Sequence, residues 1–165
     1  MPEIAIDLNT EAPDDGAVID KLHERAFGPG RFARTAFRLR EGVAPHPDLS
    51  FVARIGSMIV GSIRLTPIHI GEHPALLLGP LTVEPAFRSR GIGLALMQAS
   101  LNASTKAGHK LIILVGDEPY YGRVGFKRIT PGRVVLPGPV DPLRLLVKEL
   151  AEGAFGGVAG PARGG

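Results

Sequence analysis

The sequence predicts an α/β fold: a single domain built on a mixed β-sheet flanked by helices. Three observations point to it. Residues 51–55 and 58–60 are strand-like runs separated by Gly56-Ser57, a two-residue hairpin turn with glycine first. Leu111 to Val115 is an unbroken apolar pentad, the pattern of a parallel strand covered on both faces. Residues 91–107 contain no proline and read as the crossover helix that joins a strand ending at Val83 to that pentad.

The remaining elements follow in order. Residues 4–8 read as a short strand. Pro13 opens a helix with Val18, Leu22 and Ala26 on one face, and Gly28-Pro29-Gly30 stops it. A second helix is expected over 31–40, ending near Gly42, before a turn at Pro45-His46-Pro47-Asp48. The second hairpin strand should continue to Ile70, strained or bulged near Pro67, and return through Gly71-Glu72-His73-Pro74 into a strand over 75–83. That strand carries Gly79-Pro80 in its middle. Proline cannot donate to a sheet ladder, so a bulge is predicted there.

In the helix over 91–107, Leu94, Met97 and Leu101 form one apolar stripe, and Ile92, Ala95 and Ala99 form a second beside it. Such a helix is covered on more than one side. A short helical piece at 119–123 precedes a strand over 126–129. Residues 130–142 hold four prolines and two glycines, a stiff loop. Residues 143–150 fit helix or strand by pattern, and the glycine-rich stretch 153–165 is expected to fray in part.

Composition narrows the function classes. The 165 residues are 44% hydrophobic and 21% charged, with no repeat or linker, which suits one globular domain. The lack of cysteine removes disulfides, thiolate nucleophiles and cysteine-bearing metal sites, and fits a cytoplasmic setting. The first ten residues are too acidic for a signal peptide, and no apolar run approaches the ~18 residues of a membrane span. Net charge is +3, with arginine outnumbering lysine 14 to 5. Arg25, Arg31, Arg34, Arg38 and Arg40 cluster, and nearby Phe27, Phe32 and Phe37 fall at helical-core spacing. A solvated helix face is therefore the preferred reading over a nucleic-acid patch, with attraction of an acidic cofactor or substrate a third. His69 and His73 flank a turn with no third ligand spaced to join them, so no metal site is expected.

The chemistry concentrates at Arg88-Ser89-Arg90-Gly91-Ile92-Gly93. Two glycines allow a tight turn and close approach of backbone N–H groups to an anion. The helix that follows adds its positive dipole end, and Arg88 and Arg90 add charge. The turn therefore reads as a pyrophosphate site.

Arg88-x-x-Gly91-x-Gly93, preceded by Leu81-Thr82-Val83-Glu84-Pro85, resembles the cofactor motif of the GNAT superfamily of acetyl-CoA-dependent N-acetyltransferases. Tyr120-Tyr121-Gly122-Arg123-Val124-Gly125-Phe126 is similar to that superfamily's aromatic segment, and residues 22–40 are similar to the paired substrate-side helices of one bacterial subgroup. The resemblance covers residues 5–129. It implies a splayed mixed sheet in which two parallel strands part to admit the pantetheine arm, with 143–150 as the last strand. It also implies transfer of an acetyl group from acetyl-CoA to a primary amine of a small molecule or protein. The cofactor would lie against Leu81, Thr82, Val83, Arg88, Ser89, Arg90, Gly91, Ile92, Gly93 and Leu94. Tyr121 takes the position of the general acid that protonates the departing thiolate. Glu84 is the candidate base, with Asp117 and Glu118 as rivals, and the Leu81 or Val83 N–H is the candidate oxyanion donor.

A base is needed because an alkyl ammonium of pKa about 10.4 is neutral only about one part in 10³–10⁴ at pH 7, a deficit of roughly 4–5 kcal/mol. A dinucleotide fold competes poorly. The third position of its glycine pattern is Leu96, and seven residues separate Val83 from Gly91. A non-catalytic acyl-CoA-binding module stays open, and exposed sheet edges make a homodimer plausible.

Overall fold

The computed structural model describes residues 5–28 and 34–165. The strand β1 (Asp7–Thr10) leads through a 3-10 turn at Pro13–Asp15 into α1 (Gly16–Phe27), and α2 (Thr35–Arg40) follows. The strands β2 (Phe51–Ile55), β3 (Met58–Ile70) and β4 (His73–Val83) form an antiparallel meander. Helix α3 (Ile92–Lys106) crosses to β5 (Leu111–Val115). Then come α4 (Glu118–Tyr121), β6 (Lys127–Arg128), β7 (Val134–Val135), β8 (Leu145–Glu149) and β9 (Gly160–Gly164).

The main sheet runs β1-β2-β3-β4-β5-β8-β6, with β9 paired to β3 and β7. It is mixed, since β4 and β5 are parallel while their other neighbours in that order are antiparallel. The parallel pair is short. Leu76 faces Ile112 and Leu77 faces Ile113, and no further pairs form beyond them. Across the other edge of β4, Ile63 pairs with Leu81 and Leu65 with Leu78, so Gly79 and Pro80 together oppose Arg64. This two-against-one count is the bulge predicted at the proline. The gap between β4 and β5 opens where β4 is bent.

The core lies on both faces of the sheet. Leu77, Leu111 and Ile113 pack with Ile68, Val147 and Phe155 on one side. Leu76, Ile112 and Leu114 pack with Leu96, Met97 and Phe126 on the other. Alternation along β5 thus buries it twice, as its apolar pentad predicts. Each fully buried leucine or isoleucine contributes roughly 1.5–3 kcal/mol. Helix α3 lies close on β3: a β-carbon at Gly61 would stand 3.0 Å from Leu96 Cδ1 and 3.1 Å from Ile92 Cγ2.

Several expectations are corrected. The opening strand starts at Asp7, opposite Arg54, and the described part of the second helix starts at Thr35; residues 31–33 lie outside the described residues. β3 passes through Pro67 without a register shift there. The Pro67 carbonyl accepts from the Gly165 N–H at 3.1 Å, so its backbone faces the end of β9, where the missing donor is not required. Residues 145–149 form the strand that the resemblance implies, but it is not the last. The glycine-rich end, for which fraying is expected, supplies β9: His69 pairs with Arg163 and Ile70 with Ala162. Glycine also lets the end of β9 lie against α2, since a β-carbon at Gly164 would meet the Leu39 carbonyl oxygen at 2.5 Å. The stiff loop over 130–142 also carries β7, which pairs in parallel with β9.

Candidate active site

Two cavities meet at the opened edge of the sheet. The smaller, about 560 Å³, is a groove over the N-terminus of α3. Nine of the ten residues expected to bind cofactor line it: Leu81, Thr82, Val83, Arg88, Ser89, Gly91, Ile92, Gly93 and Leu94. Arg90 does not; its guanidinium lies over the Phe87 ring, 5.5 Å from the centroid.

Backbone conformation shapes this groove. Ser89 and Gly91 both have positive φ, at 65° and 78°. The first hydrogen bond of α3 runs from the Ala95 N–H to the Gly91 carbonyl at 3.0 Å. The amides at the start of the helix therefore have no intrahelical acceptor and suit an anion. The two glycines serve different ends. Gly91 has open space where a side chain would go, so its left-handed backbone is what calls for glycine. At Gly93 the issue is room: a β-carbon would stand 2.5 Å from the Tyr120 hydroxyl oxygen. A turn of donors, a following helix and cationic Arg88 at one edge fit a pyrophosphate.

The larger cavity, about 880 Å³, lies beyond the groove and is bordered by α1, α2, the β4 bulge and the turn after β5. Phe27, Leu81, Tyr120 and Tyr121 line both spaces. The tyrosine pair is therefore the wall at which the two meet. Gly125, left-handed at φ 97°, ends the turn that follows α4. The Tyr121 ring stands edge-on to Tyr120 at 5.0 Å and edge-on to Phe126 at 6.1 Å. Gly116 gives the Tyr121 ring its space, since a β-carbon there would collide with it. Burial, with Tyr120 and Asp117 nearby, pushes the Tyr121 phenol up to about 12, so it carries its proton at neutral pH.

The carboxylates separate. Glu84 accepts a hydrogen bond from Arg25 at 2.7 Å and lines neither cavity. Asp117 borders the larger cavity but pairs with Arg144 at 2.5 Å. Glu118 accepts from Arg128 at 2.9 Å, and that bond holds its carboxyl below the usual range. Among the described residues no group of three acidic or histidine side chains is placed to hold a metal.

Of the described members of the arginine cluster, Arg25, Arg34 and Arg38 are exposed, as a solvated face requires, and Arg40 is not. Arg25 pairs with Glu84, Arg34 lies over Phe27, and Arg38 donates to the Pro137 carbonyl at 2.9 Å. Arg31 lies outside the described residues. Arg40 turns into the larger cavity beside the bulge, a placement that its position in an arginine run does not signal.

A sheet that splays at a bulge beside an amide-lined turn is the architecture of a GNAT-type acyltransferase fold. A family model described as Acetyltransferase (GNAT) domain matches residues 46–128, half of the chain, and the chain belongs to that family. It is 31% identical over 117 residues to the uncharacterized N-acetyltransferase YjhQ of Escherichia coli (strain K12), a match spanning 68% of this chain and 65% of that protein. Its fold is similar to the GNAT family N-acetyltransferase YhbS of Escherichia coli in complex with CoA (TM-score 0.84, 24% identity, covering 100% of this chain and 92% of that one). It is also similar to a GNAT family acetyltransferase from Brucella melitensis in complex with acetyl-CoA (TM-score 0.61, 26% identity, covering 88% and 97%).

Proposed function

We propose that this chain transfers an acetyl group from acetyl-CoA to a primary amine, held in the larger cavity while the cofactor occupies the groove. The observation that carries this reading is the meeting of the two spaces at Tyr120 and Tyr121. The amides and glycines of 88–94 bind the pyrophosphate, and the parted β4 and β5 admit the pantetheine arm. The amine attacks the thioester carbonyl directly, and a tetrahedral intermediate collapses as the C–S bond breaks. The Leu81 or Val83 N–H beside the bulge donates to the developing oxyanion. Tyr121 delivers its proton to the departing thiolate, a role its protonated phenol suits. Glu84 lines neither cavity, so we assign it the base role only through intervening water.

Release of free thiol from acetyl-CoA across a panel of amines tests the assignment. Amine-dependent release by the wild type, with cofactor binding kept and turnover greatly slowed in Tyr121→Phe, supports it. Cofactor binding with no transfer to any amine would leave an acyl-CoA-binding module instead. Equal rates in the two proteins would remove Tyr121 from the chemistry.

A further inference from the structure

Arg40, the last residue of α2, borders the larger cavity. Its Nη2 fills the notch over the β4 bulge, 2.9 Å from where a β-carbon at Gly79 would lie. Its Nε is enclosed and has no hydrogen-bond partner. None of the ion pairs among the described residues includes it. Enclosed guanidinium groups are ordinarily matched by an anion, because desolvating a charge without a partner is costly.

Among the described residues, the cavity itself does not supply that anion. Three described aspartates border it, at 20, 117 and 141. Asp117 is taken by Arg144, and Asp20 is largely exposed, 4.0 Å from Arg64. Asp141 accepts from the Leu143 N–H at 2.9 Å. Glu11 is occupied as well, since its carboxylate accepts two hydrogen bonds from Arg64, at 2.7 and 3.1 Å. Among the described residues, Arg34 and Arg40 are left as the arginines on this wall without an acidic partner. Burial and the proximity of Arg64 and Arg34 bring Arg40 down to about 10, which leaves it charged at neutral pH.

We propose that the acceptor is a small amine that also bears an anionic oxygen group, carboxylate or phosphonate-like, which docks on Arg40 above the Gly79-Pro80 bulge. Two parallel N–H donors on a planar guanidinium match either kind of oxygen pair. Anchoring one end at Arg40 sets the amine toward the Tyr121 wall, since Arg40 and Tyr121 border the same cavity and lie close enough to influence each other's ionisation. The inference rests on the proposed amine site, yet it is tested separately from catalysis.

The probes are β-alanine and 4-aminobutyrate, their primary amides, and 3-aminopropylphosphonate. Each is titrated calorimetrically into the protein saturated with coenzyme A, and each is assayed for thiol release with acetyl-CoA. The wild type is expected to prefer an anionic probe over its neutral amide by about 10–100-fold, the range of a charge-assisted hydrogen bond. The carboxylate and phosphonate arms decide which anion fits better. Arg40→Gln should bring that preference close to one, and Arg40→Lys should keep part of it; coenzyme A binding by each variant confirms that it folds. Equal binding of acids and amides by the wild type, or no binding of any anionic probe at millimolar concentration, overturns the proposal. So does an Arg40→Gln variant that slows every amine equally, because the charge would then act on the thioester. Selective binding of acids without thiol release would keep the anion site and refute the acetyltransferase reading alone.

Discussion

The two cavities that meet at the tyrosine pair are made of different material. The groove is lined largely by one stretch of chain, residues 81–94, and its form comes from backbone: left-handed Ser89 and Gly91, and the space left at Gly93. The larger cavity draws on α1, α2, β3, β4, the β5–α4 turn and the loop at 139–144, and its form comes from side chains. On the proposed reading, the first asks little of the ligand beyond its pyrophosphate, which needs only donors and charge. On the same reading, the second is where the acceptor is chosen. Damage to the two should therefore separate in the kinetics.

The largest separation is expected from Tyr121→Phe. Losing the proton donor proposed above should lower kcat about 10²–10⁴-fold. Coenzyme A affinity, measured by calorimetry, should hardly change. Gly93→Val is its complement. The added side chain meets the Tyr120 hydroxyl at the start of α3. The dissociation constant for coenzyme A should rise about 30–100-fold, roughly 2–2.7 kcal/mol, while the ranking of amines by kcat/KM stays as it was. A ranking that changes would mean that the groove also reads the acceptor.

A smaller effect is expected far from either space. Asp15 is buried, which opposes its ionisation, but the Arg54 hydrogen bond at 2.7 Å and the Ala12 N–H outweigh this and hold its carboxyl below the usual range. Its folded pKa is depressed, so its contribution is present above the unfolded value and is lost as pH falls through the folded one. Asp15→Asn should cost about 1–2 kcal/mol at pH 7 in urea melts, and the deficit should shrink in acid. The tyrosine gives the opposite sign. With its pKa raised to about 12, the stability linked to the neutral phenol is complete below about pH 10 and is lost between there and 12. Ultraviolet titration should show a late tyrosine ionisation, and Tyr121→Phe should remove it.

Much of the groove was legible because its signals are local. Glycines at 91 and 93, an arginine at 88 and a helix at once afterwards lie within a few residues of one another. The bulge was legible for the same reason: Pro80 cannot donate, whatever it packs against. Legibility ends where distant segments are brought together. The placement of Arg40 depends on how α2 sits over β4, and an arginine run with helical spacing gives no sign of which member turns inward. Glu84 stands next to the bulged strand in sequence, yet Arg25 of α1 holds it outside both cavities. The glycine-rich end reads as fraying by composition. Its place on β3 comes from a long-range pairing, and Gly164 lets the same strand lie against Leu39 of α2.

Hydrogen exchange of the backbone amides, with and without coenzyme A, tests most directly that the turn before α3 holds the cofactor. Saturating coenzyme A should slow exchange most strongly at residues 88–94, and Gly93→Val should need much more ligand for the same effect. Unchanged exchange across that stretch in cofactor-saturated protein, or protection confined to another part of the sheet, would contradict the account.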